Sequence, residues 1–150
     1  MRILVIHGPN LNLLGEREPG IYGTENLEQV NGAILARAKE LGAQCEVFQS
    51  NHEGDIIDRL HEARREFDGV VLNAGAYTHY SYAIHDALAS VKIPKVEIHI
   101  SDITKREEFR KISVTAPACN KQIYGHGLNG YLEAVDYLLE NFLHLEAENS

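Results

Sequence analysis

Apolar residues along this chain fall into two alternating rhythms, short continuous runs and longer stretches with helical spacing. Ile3-Leu4-Val5-Ile6 is a continuous apolar run, the pattern of a strand buried on both faces, and it extends to His7. From about Asn26 to Leu41 the spacing changes, with Leu27, Val30, Ile34, Leu35, Ala38 and Leu41 on one helical face and Gly42 at its end. Cys45 to Gln49 reads as a second strand and Asp55 to Phe67 as a second helix, carried by Ile56, Ile57, Leu60, Ala63 and Phe67. Val70 to Leu72 is a short buried strand, followed by a helix over Tyr82 to Ser90. In Lys95 to Ile100, Val96, Ile98 and Ile100 alternate with Glu97 and His99, so these two groups point to opposite faces of a strand. A short helix is expected from Thr104, where Thr104 to Glu107 has capping-box spacing. Gln122 to Tyr124 gives a fifth strand, and Leu128 to Leu145 a strongly patterned last helix through Leu132, Val135, Leu138, Leu139 and Phe142. The polar residues from Glu146 to Ser150 read as a frayed tail.

Strict alternation of strands and helices implies a parallel sheet wrapped on both faces, an α/β fold of three α/β/α layers. Five strands suggest the flavodoxin-like order, with strand 1 central and a switch point between strands 1 and 3. The 150 residues are read as a single domain, large enough for a substantial core.

Net charge narrows the partners. At −8, with the densest basic cluster (Lys105, Arg106, Arg110, Lys111) interleaved with Glu107 and Glu108, the chain is not expected to bind nucleic acid. That cluster reads as a solvated face. No run approaches a membrane span or a signal-peptide core, and Cys45 and Cys119 are isolated, so a soluble cytoplasmic protein with reduced thiols is expected.

Candidate chemistry gathers where such sheets bind ligands, beyond the carboxyl ends of the strands. Strand 1 is followed by Asn10, Asn12, Arg17 and Tyr22, strand 3 by Asn73, Tyr77, Thr78 and His79, and strand 4 by Ser101 and Asp102 with His99 at its end. The segment Gly8 to Gly23 is long for a strand-to-helix connection and carries amides, an Arg and a Tyr between glycines and prolines. It has the make-up of an active-site lid; a mobile surface loop is the alternative. His99 is a candidate general acid, and a structural His bonded to a loop is its alternative. His7 fits a satisfied strand-end histidine, and His52, His61, His85 and His144 fit surface or helix-face positions.

Other motifs lead nowhere. Gly125, Gly127 and Gly130 match a dinucleotide fingerprint, but the chain ends before the strand and acidic residue that motif needs, so close helix–strand packing is the favoured reading. The histidines lack metal-ligand spacing, and no nucleophile elbow is present. A flavodoxin-like module binding FMN or a small acid stays open on these patterns alone.

Longer stretches carry a specific likeness. Gly8 through Gly23, Leu72 through His79, Val96 through Ser101, Arg106 through Arg110, and Gly125 through Tyr131 closely resemble the type II 3-dehydroquinate dehydratases, in order and over nearly the whole chain. The resemblance implies elimination of water from 3-dehydroquinate to give 3-dehydroshikimate, a step of the shikimate pathway. It implies an enolate intermediate and no cofactor, metal or Schiff base. It assigns Tyr22 as base, His99 as general acid, Arg17 as lid cation, and Asn10 as the amide placing a water for the enolate. Substrate contacts fall on Asn73, His79, the backbone of Ile100 and Ser101, and Arg110. It further implies trimers, four of them forming a dodecamer, with Asp86 reaching a neighbouring subunit's site. Asp102 stands where the family often has Asn, which weakens any substrate contact there. The assignments are chemically coherent. A free phenol is ionised to about one part in a thousand at pH 7, and a close guanidinium favours the phenolate. Arg17 shares the loop with Tyr22.

Overall fold

In a computed structural model, residues 1–148 are described, with side chains through Phe142. Five strands, β1 (Arg2–His7), β2 (Gln44–Gln49), β3 (Gly69–Asn73), β4 (Lys95–His99) and β5 (Lys121–Tyr124), form one parallel sheet in the order β2-β1-β3-β4-β5. The flavodoxin-like order is as read, with one adjustment: β3 holds the middle place and β1 lies between β2 and β3. Exposure follows that order. β3 and β4 are buried throughout and β1 beyond its first residue, whereas the edge strands β2 and β5 are only partly covered.

The helices are α1 (Pro19–Tyr22), α2 (Leu27–Glu40), α3 (Glu53–Glu66), α4 (Tyr82–Ser90) and α5 (Asn129–Glu148). One face of the sheet presents Ile3, Val5, Val71, Val96 and Ile98 to Val30 and Ile34 of α2 and to Tyr131, Val135 and Leu138 of α5. The opposite face presents Leu4, Ile6, Val70 and Leu72 to Ile56 and Leu60 of α3 and to Ile84 and Leu88 of α4. Burying these side chains contributes about 1.5–3 kcal/mol each before the entropy of ordering is subtracted.

Three local expectations change. The apolar stripe of α2 is narrower than its sequence suggested, because Leu35 and Leu41 are about two-fifths exposed. Asn26 starts that helix through a complete capping box with Gln29. The segment from Thr104 forms two single 3-10 turns, Ile103–Lys105 and Glu108–Arg110, and the first is capped by the Asp102 carboxylate, which accepts from the Thr104 amide and hydroxyl. An Asp two residues earlier wins because its short side chain bonds the backbone two residues on. At the C-terminus the helix runs on through Glu146–Glu148 instead of fraying there; Asn149, Ser150 and the side chain of His144 lie outside the described residues.

Candidate active site

The loop after β1, the candidate lid, begins with a close approach. A Cβ on Gly8 would lie 2.7 Å from the Ala74 carbonyl carbon, so only glycine lets the end of β1 cross the end of β3 here. Leu11 and Leu14 are buried and pin the loop to the core, and Asn10 adopts a left-handed backbone (φ 69°) with its amide donating to Asn51 Oδ1 at 3.0 Å. The single turn α1 then carries Tyr22 back over the sheet end, where its ring is 8% exposed. Tyr22 therefore packs into the core, although its position in a long loop suggested otherwise.

Two guanidinium groups converge on that tyrosine. Arg17 Nη2 donates to the Tyr22 hydroxyl oxygen at 3.1 Å, and Arg106 Nη1 donates to the same oxygen at 2.7 Å. The Arg17 guanidinium also lies 4.3 Å from the ring centroid. Arg106 additionally reaches Ser101 Oγ at 3.3 Å. Sequence reasoning placed Arg106 on a solvated charged face; the turn capped by Asp102 swings it into the cleft instead. Only its place in the quoted Arg106–Arg110 stretch hinted at this.

The opposite wall is built from β4. His99 is 5% exposed and Glu97, two residues earlier on the same face, is fully buried. His99 Nε2 lies 2.9 Å from Glu97 Oε2. The carboxylate also accepts from Thr78 Oγ1 (2.9 Å), Ser113 Oγ (2.8 Å), Gln122 Nε2 (2.9 Å) and Thr115 Oγ1. Burial alone would push the Glu97 carboxyl up, but the His99 hydrogen bond and charge, with Thr115 and Ser113, outweigh it and hold it down at about 2. Glu97 is thus an anion across the working pH range. Alternation with Val96 and Ile98 already put Glu97 beside His99, and that was the signal for it.

The remaining expected residues divide. Asn10, Arg17, Tyr22, Asn73, His79, His99, Ile100, Ser101 and Arg110 line one cleft at the carboxyl ends of β1, β3 and β4, joined by Arg106. His79 Nδ1 donates to the Ile112 carbonyl at 2.8 Å, which fixes the proton on Nδ1, and its ring stacks 6.4 Å from that of His99. Burial, only partly offset by that bond, lowers the His79 pKa. Asp86 does not line this cleft; it is exposed on α4. Asp102 caps its turn, so its carboxylate is occupied locally.

The glycine-rich segment supports the cleft from behind. The Gly125 and Gly127 amides donate to the carbonyls of Ser101 and Ile100, each at 3.0 Å, and are spent on the backbone. A Cβ on Gly130 would meet Ile98 Cδ1 at 3.3 Å, so this glycine serves close packing of α5 on the sheet. Among the described residues no three metal-ligating side chains converge. No described helix is long and apolar enough to cross a membrane.

Comparison with known proteins agrees with this geometry. The family model described as Dehydroquinase class II matches residues 1–139. A 3-dehydroquinate dehydratase of Lachnospira eligens is 58% identical over 142 residues, covering 93% of this chain and 97% of that one. One from Thermotoga maritima is 56% identical over 138 residues, covering 92% and 94%. The crystal structure of the type II dehydroquinase of Butyrivibrio crossotus superposes with a TM-score of 0.91 at 58% identity, covering 92% of this chain and 97% of that one. With the fold, the lid and the family model in agreement over most of its length, the chain belongs to the class II dehydroquinase family.

Proposed function

We infer that this protein is a dehydratase of the shikimate pathway that converts 3-dehydroquinate to 3-dehydroshikimate and water. The observation that carries the mechanism is the pairing across one cleft of a doubly clamped tyrosine oxygen with a carboxylate-backed histidine. Two guanidinium donors on the Tyr22 oxygen stabilise a phenolate by charge and by hydrogen bonding. That phenolate takes a proton from the carbon between the substrate's ketone and its tertiary alcohol. The electron pair left behind moves onto the ketone oxygen as an enolate, which needs donors in a site closed to water. Asn10 is the residue proposed to place a water there. Collapse of the enolate then breaks the bond to the tertiary hydroxyl, which leaves as water with a proton from His99. The new double bond is conjugated to the regenerated ketone. Return of the proton from Tyr22 to His99 resets the site.

Asn73, His79, the backbone of Ile100 and Ser101, and Arg110 are proposed to hold the substrate, supported by their shared place in the cleft. Arg110 brings a cation suited to a carboxylate substrate. Addition of 3-dehydroquinate to the purified protein is expected to raise the ultraviolet absorbance of a conjugated enone. A flat trace with folded protein overturns the reading.

Assembly and setting belong to the same proposal. Tyr80, Tyr82, Phe109 and Ile112 are 59–71% exposed and lie near α4 and the cleft mouth in the chain, more large apolar surface than a lone subunit usually shows. Their burial in a trimer, four trimers making a dodecamer, would bring Asp86 toward a neighbour's cleft. Sedimentation at assay concentration tests this, and a fully active monomer overturns it. The single sheet with an apolar layer on each face supports one domain over the described length. Free Cys45 and Cys119 suit a reducing, cytoplasmic compartment.

A further inference from the structure

Behind the cleft, a buried polar chain runs from Asn73 to groups that have no part in the reaction as described. Asn73 is 3% exposed at the end of β3, and its Oδ1 accepts from the Gly75 amide at 3.1 Å. Its Nδ2 lies 2.9 Å from the hydroxyl of Tyr131, which is fully buried in the first turn of α5. The Tyr131 hydroxyl lies 3.1 Å from His7 Nδ1, and His7 Nε2 lies 2.8 Å from Asn31 Oδ1 on α2.

The protons in this chain have one consistent direction. A backbone amide can only donate, so Gly75 fixes Asn73 Oδ1 as its acceptor and Nδ2 as the donor to Tyr131. The Tyr131 oxygen accepts there, and its own proton finds an acceptor only at His7 Nδ1. His7 must then carry its proton on Nε2, which donates to Asn31 Oδ1. The reverse tautomer would leave the Tyr131 proton buried without an acceptor, at a cost of about 1–3 kcal/mol by general experience. Burial, against the Asn31 hydrogen bond, lowers the His7 pKa to about 4 and keeps the ring neutral.

We infer that Tyr131 and His7 are positioning residues that lock the Asn73 carboxamide, so that its second N–H is presented to an acceptor oxygen of the substrate. This rests on the dehydratase reading for the identity of that substrate. The locking itself is independent of it, because a freely turning carboxamide would offer either an oxygen or a nitrogen to the cleft.

Tyr131→Phe keeps the ring and removes the hydroxyl. It is expected to lower kcat/KM by about tenfold, the scale of one lost hydrogen bond, mainly through KM, in a protein that melts at a lower temperature but is still fully folded at the assay temperature. In an Asn73→Ala background the same change is expected to cost nothing further, because Tyr131 acts through Asn73. Losses that simply multiply overturn the positioning role. Nitrogen-15 shifts of the His7 ring at neutral pH give a readout free of activity. A neutral ring protonated on Nε2, released from that form in Tyr131→Phe, is expected; a proton on Nδ1 overturns the inference. Wild-type protein that binds no 3-dehydroquinate would fail the dehydratase reading instead, and the ring measurement would still decide the locking.

Discussion

The two walls of the cleft are built on opposite principles. On the lid side, Tyr22 is clamped by the ends of two long, flexible cations from separate loops, Arg17 and Arg106, and the Arg17 side chain is still 27% exposed. On the sheet side, His99 and Asn73 stand at strand ends and are backed by fully buried partners, Glu97 and Tyr131. The guanidinium clamp can open at small cost to the fold while Leu11, Leu14 and the Tyr22 ring stay packed, which suits a site that must admit substrate. The sheet wall cannot, because each buried polar group there depends on the next. On the proposed roles, the base is held by a clamp that can open, and the acid and the substrate amide by a fixed wall.

That contrast makes graded predictions. Glu97→Ala should be the most damaging change, because it strips the acceptor from His99, Thr78, Ser113, Thr115 and Gln122 at once. Breaking a buried charged network by removing one partner costs about 3–5 kcal/mol. Urea unfolding should show a loss of that size; a loss like that of a surface residue would erase the distinction between the walls.

The sheet wall should also set the acid limb of stability. His7 is lowered to about 4 in the fold, so between its ordinary value near 6.5 and 4 the unfolded chain binds the extra proton. Stability therefore falls as pH drops through that window, by on the order of 3 kcal/mol from one group. Glu97, depressed to about 2, adds a second loss between its ordinary value near 4.5 and 2. His7→Asn should flatten the first window and spare the second, read by chemical unfolding at stepped pH.

On the lid wall, Tyr22→Phe should keep the packed ring and remove only the hydroxyl proposed as the base. Turnover is expected to fall at least about a hundredfold, roughly 2.7 kcal/mol in barrier, with stability nearly unchanged. Arg106→Ala should cost about tenfold in kcat while Arg17 still holds the oxygen, the scale of one hydrogen bond involving a charged group. If Arg106→Ala unfolds the protein more than it slows it, the lid is structural. Smallest of all, Asn26→Ala removes the cap of α2 beyond both walls and should lower stability by about 1 kcal/mol with kcat and KM unchanged.

Much of this was legible from residue order. Continuous apolar runs bounded by turns gave the strands, and the helical spacing of Val30, Ile34 and Ala38 gave a face that is buried as expected. The lid, the Tyr–His pair and most of the cleft lining stood out as polar residues after strands. Less local features were harder. Leu35 and Leu41 belong to the apolar stripe yet face outward, since the width a helix buries depends on what packs against it. Arg106 looked like one member of a charged run until the fold set it against a tyrosine 84 positions away.

The sequence by itself determined the elements, their parallel layering and the chemical kinds of group at the strand ends, because spacing of two and of 3.6 residues acts between near neighbours. Only the tertiary structure decided which groups meet. Glu97 became an anion held by five donors, Arg106 a clamp, and the His7–Tyr131–Asn73 chain a line of protons with one direction. Each of these depends on contacts between distant segments in a buried setting, where an unpaired polar group is costly and geometry permits a single set of partners.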